Sequence, residues 1–117
     1  MSATSTKIYG NDMALDVKTD FINLYGVGKS VDEINEYILA YQPDNDDEKA
    51  CAFWSALALV EWEYGVLADC IKSKAQYVIK NHSDAPLFLK KQDKETRTLE
   101  LQKLFAQINT INPKPKK

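Results

Sequence analysis

The chain has 117 residues, enough for a single domain. A fold of this size buries roughly two thirds of the surface its unfolded chain exposes, so it can stand without disulfides or metal. At 44% hydrophobic and 27% charged residues the composition is globular, which excludes a disordered or fibrous chain. The net charge of −2 conceals an asymmetry: residues 1–69 carry 13 acids against four lysines, net −9, and residues 70–117 carry four acids against 11 lysines and arginines, net +7.

Asn11 and Asp12 follow Gly10 and precede Ala14, Val17, Phe21 and Leu24, a helical apolar stripe. Either is an N-cap, worth about 1 kcal/mol. Asp12, Asp16 and Asp20 recur every fourth residue along a neighbouring face. Gly26 and Gly28 end this helix, because glycine takes positive φ at little cost. Ser30-Val31-Asp32-Glu33 is a capping box, in which the serine hydroxyl and Glu33 each satisfy an orphan backbone donor. Val31, Ile34, Ile38 and Tyr41 form the second stripe, and Pro43 stops it. The connector that follows is polar and places acids at the start of the third helix, where the helix dipole favours them.

The third helix is expected from about Asp46 to Tyr64, with Phe53, Leu57, Val60 and Tyr64 on one face and Trp54, Ala58 and Trp62 on another. A helix apolar nearly all round is a buried central one. Losing either tryptophan, if buried, is expected to cost ~3–5 kcal/mol. Trp62, between Glu61 and Glu63, is the aromatic expected to reach the surface as a contact. Gly65 is placed as the C′ residue. Leu67, Cys70, Ile71, Ala75 and Val78 continue into a fourth helix, with Asp69 early and Lys80 late. Ser83-Asp84-Ala85-Pro86 marks another start, and a final helix carries Leu101, Leu104, Phe105, Ile108 and Ile111 before Asn112-Pro113 ends it.

No segment alternates polar and apolar residues long enough for a strand. The expected fold is therefore all-α, one domain over 1–117 of five or six helices with short links, residues 1–9 and 112–117 being frayed tails. Cys51 and Cys70 are expected to be reduced, buried thiols. No apolar run approaches the ~20 residues that cross a bilayer, and the N-terminal stretch lacks the apolar core of a signal peptide. The expectation is a cytoplasmic protein without a membrane partner.

Motifs for chemistry are incomplete. Tyr25-Gly26-Val27-Gly28-Lys29-Ser30 imitates the end of a phosphate-binding loop, but Asn23 stands where the first glycine belongs, and a helix stop followed by a new N-cap explains these residues. Asp44 to Glu48 resembles part of a calcium loop, yet Lys49 and Ser55 occupy the positions of its glycine and bidentate glutamate. His82 is the one histidine, so a His-based metal cluster is excluded. Lys90, Lys91, Lys94 and Arg97 are not interleaved with stacking aromatics, which argues against direct nucleic-acid binding. No cofactor and no catalytic residue is expected, and the protein is read as a non-enzyme.

Two stretches, Y-G-N-D-M-A-L-D-V at 9–17 and F-W-S-A-L-A-L-V-E-W-E-Y-G-V-L at 53–67, resemble a family of small bacterial helical proteins. Its members carry an N-D-x-A-x-D-V start and a later F-W-x-A-L-A-x-x-x-W-x-x-G-x-L signature, and the likeness spans roughly residues 8–80. They look like the immunity proteins of contact-dependent growth inhibition. Here Ile8-Tyr9-Gly10 stands in place of the usual W-G before the N-D motif. The resemblance implies a protein that binds and neutralises a cognate toxin, a nuclease, by steric and electrostatic blocking. Nuclease surfaces are basic because they hold phosphates, and an acidic face steers the encounter. Asp12, Asp16, Asp20, Asp32, Glu33, Glu36, Asp44, Asp46 and Asp47 are the candidate contact residues. The alternative is a helical adaptor or regulatory subunit that uses the same acids on another basic protein.

Overall fold

Local signals set four of the helix ends. The computed structural model describes residues 6–116. Helix α1 (Asp12–Gly26) starts where the Asn11 side chain accepts the Ala14 N–H, and α2 (Val31–Leu39) starts at the full Ser30/Glu33 capping box. Helix α3 (Ala50–Glu63), α4 (Asp69–Asn81), a 3₁₀ turn over Ala85–Leu87 and α5 (Lys91–Gln107) complete an all-helical fold. The radius of gyration, 13.6 Å, is that of a compact globule of this length.

Two glycines end helices in the same way. After α1, the Gly28 and Lys29 N–H groups donate to Tyr25 O and Leu24 O; after α3, those of Gly65 and Val66 donate to Trp62 O and Glu61 O. Both glycines have positive φ, +89° and +71°. This is the Schellman stop, which returns orphan carbonyls to hydrogen bonding.

Helix α3 is the axle. Its residues Ala50 through Glu61 are all buried. Its alanines let neighbouring backbones approach, and α1 and α4 both pack against it without packing on each other. Helix α2 lies on α1, and α5 lies on α4 and the 3₁₀ turn. Ala14, Val17, Phe21, Ile34, Ile38, Phe53, Leu57, Ile71, Val78, Leu101 and Leu104 meet in one core.

Four expectations are corrected. Helix α3 begins at Ala50, because the Asp47 carboxylate is spent on the Lys49 N–H at 2.8 Å and closes a turn, leaving the helix with no acid in its first turn. Tyr41 and Ile111 lie beyond the ends of their helices and are exposed, Ile111 by 92%. Cys51 is buried but Cys70 is exposed, on the outer side of the first turn of α4. The described parts of both tails are tied down. Ile8 is buried, Arg97 holds the Thr6 and Lys7 carbonyls, and at the other end Asn112 Nδ2 and Lys116 N donate to the last carbonyls of α3. Residues 1–5 and 117, also read as frayed, lie outside the described residues.

Candidate functional site

Helices α1 and α2 bury Ala14, Val17 and Phe21 on one and Ile34, Asn35 and Ile38 on the other. That register turns Asp12 and Asp16 of α1, and Asp32, Glu33 and Glu36 of α2, toward solvent. Asp20 is half-buried and accepts the Tyr41 hydroxyl at 2.7 Å. Tyr41 packs edge-on against Phe53 of the core at 5.8 Å and against Tyr37 at 6.4 Å. Burial, then the Asp20 hydrogen bond, then the charges of Asp20 and Asp16 hold the Tyr41 hydroxyl well above the ordinary tyrosine range. It therefore stays a protonated donor, and Tyr41, anchored on Phe53, stands with Tyr37 beside carboxylates. Glu33 is fixed by its cap: hydrogen bonds from the Ser30 backbone and hydroxyl pull its carboxyl below the usual range.

The connector acids form a second group. Asp44, Asp46 and Asp47 are exposed, and the Asp47 N–H donates to Asp44 O at 2.9 Å. Asp46 and Asp47 border a shallow recess of about 280 Å³ with Glu48, His82 and Leu87. His82 leans on Tyr77 at 5.6 Å. Among the described residues no three His, Cys, Asp or Glu side chains converge to hold a metal ion, and no helix is long and apolar enough to cross a membrane.

No family model, curated protein or solved structure matches this chain. The site must therefore be read from its own geometry.

Trp62 reaches the surface only in part. Its Nε1 donates to Thr110 O at 2.8 Å, and its ring borders a 350 Å³ recess with Gly65, Lys72, Ile108 and Pro115. Its indole N–H is thus committed to the C-terminal strap of this chain. The two glutamates beside it are not the solvated flank their charge implies. Glu61 is fully buried, and Glu63 accepts the Tyr9 hydroxyl at 2.7 Å.

The aromatic half of the α1–α2 surface escaped the sequence reading. Tyr37 and Tyr41 stand four apart, the spacing of neighbours on a helix face, but Tyr41 continued an apolar stripe and so read as core. Arg97, unlike the exposed Lys90 and Lys91, is fully buried and grips Asp84 through two parallel bonds of 2.8 and 2.9 Å.

Proposed function

We propose that this chain is an immunity protein that binds a cognate bacterial toxin, a nuclease with a basic face, and neutralises it by steric and electrostatic blocking. The observation that carries the reading is the α1–α2 surface, where Asp16 and Asp20 stand beside Tyr37 and Tyr41, 56% and 36% exposed. Carboxylates there attract lysines and arginines from a distance, and the tyrosines supply flat contact area at small entropic cost. The motif pair at 9–17 and 53–67 supports the same reading, its residues serving as caps, core and helix stop. Such a protein needs a rigid scaffold rather than a catalytic group.

Co-expression with the toxin encoded beside it tests the proposal. The protein is expected to rescue growth, and equal death with and without it sinks the reading. Replacing Asp12, Asp16 and Glu36 together by lysine is expected to slow association with the toxin by about tenfold or more at low salt. The helical circular dichroism spectrum should stay unchanged. A metabolic protein recovered in place of a toxin, released by salt, supports the adaptor reading instead.

A further inference from the structure

A groove of about 540 Å³ runs between α4 and α5. Ile79, Leu101 and Phe105 form its apolar floor, and Ser83, Thr98 and Gln102 its walls. Lys80 is the one charged side chain among the described residues lining it. Gln76 of α4 ties that helix to the end of α5 by donating to Asn109 Oδ1 at 2.8 Å. Such a groove takes the apolar face of a helix that carries carboxylates at its edge.

The chain owns such a helix. The outward face of α1 exposes Leu15 and Ile22, 46% and 36% accessible, with Asp12 and Asp16 exposed beside them. Leu15 and Ile22 stand seven positions apart, about 10 Å along a helix, and Thr98 to Phe105 spans the same length along the groove. The two surfaces also lie in the oppositely charged halves of the chain, net −9 and +7. The geometry points to head-to-tail self-association, with α1 of one copy seated in the α4–α5 groove of the next. The contact joins two different patches, so every open assembly keeps one free α1 and one free groove at its two ends, and the series stays open unless its rotation closes a ring. This inference stands apart from the toxin reading, and its test contains no toxin.

The full chain is studied by light scattering over a range of concentrations at low and high salt. The average mass is expected to rise with concentration at low salt and to return toward the monomer at high salt. Leu15→Lys and Lys80→Glu are each expected to weaken association by about tenfold or more, since each sets like charge against like or removes the apolar knob. Both positions are on the surface, so helical content should not change. Mixing the two variants is expected to restore association, because the intact groove of the first meets the intact α1 of the second. A wild-type chain that stays monomeric up to millimolar concentration overturns the inference and leaves the groove to a foreign acidic helix. Association indifferent to both substitutions, or a mixture that stays apart, overturns it as well.

Discussion

Replacing Glu61 by glutamine should make the protein more stable at neutral pH. Glu61 is fully buried on α3. Its Oε1 accepts the Ala68 N–H at 3.3 Å, while Oε2 and the Oδ1 of Asn35 are buried acceptors without a donor. Burial pushes the Glu61 carboxyl up to about 7, against the pull of the Ala68 N–H and the Asn35 amide toward the charged form. Protonation supplies a donor to a core that lacks one. The interval from the ordinary 4.5 to about 7 corresponds to about 3 kcal/mol. Between those values the folded chain keeps a proton that the unfolded chain has released. The stability this group contributes is therefore full below pH 4.5, is lost as pH rises to about 7, and stays lost above. Glutamine has the same shape and no proton to lose. Urea denaturation of both proteins, followed by circular dichroism across this range, should find Glu61→Gln equal to wild type at the acid end and about 3 kcal/mol more stable at the alkaline end. A difference that does not grow with pH, or a variant less stable in alkali, refutes the argument.

Arg97→Met should cost about 3–5 kcal/mol, because it strands the Asp84 carboxylate at a nearly buried position. It should also speed amide exchange at residues 7–10, whose segment Arg97 holds through the Thr6 and Lys7 carbonyls. Gly65→Ala and Gly28→Ala both force a side chain into positive φ, at about 1 kcal/mol each. Only the first adds a clash, with Pro115 Cβ 2.8 Å from the new methyl. It should therefore lower the denaturation midpoint more, and Pro115→Gly should recover the excess. A thiol reagent should modify Cys70 at once and Cys51 only on unfolding, since Cys51 is buried and its thiol is pushed up by that burial.

What the sequence disclosed was local. Asn11, the Ser30–Glu33 box, Gly28 and Gly65 each act within a few residues of themselves, so their roles were readable before any fold was known. What stayed hidden depends on distant chain. Arg97 sits among lysines and glutamates on a polar helix, and only Asp84 and the carbonyls of Thr6 and Lys7, about ninety positions away, draw it inside. Asp46 and Asp47 suit the start of a helix by their charge alone. A turn at Lys49 takes up the Asp47 carboxylate, and α3 begins uncapped, stabilised by burial instead. Glu61 had a signal that went unused. It stands seven positions after Trp54, two turns along one face of a helix that is apolar all round, so its register already pointed inward.

The buried axle also explains how one small domain keeps two opposite charges apart. Residues Ala50 to Val60 contain no ionisable group except the thiol of Cys51, and burial drives Glu61 toward neutrality. The other charges lie mostly on the remaining helices and on the connector before α3. The acids mostly precede α3 in the chain and the bases mostly follow it. Because α1 and α4 pack on α3 and not on each other, the acid-rich α1 and the base-rich α4 have no direct contact. The shortest extent of the molecule is 22 Å, against a screening length of about 8 Å at physiological salt. The fold is thus more than two screening lengths thick at its thinnest. On α1 and α2 the exposed carboxylates outnumber the lysines, although the whole chain is almost neutral.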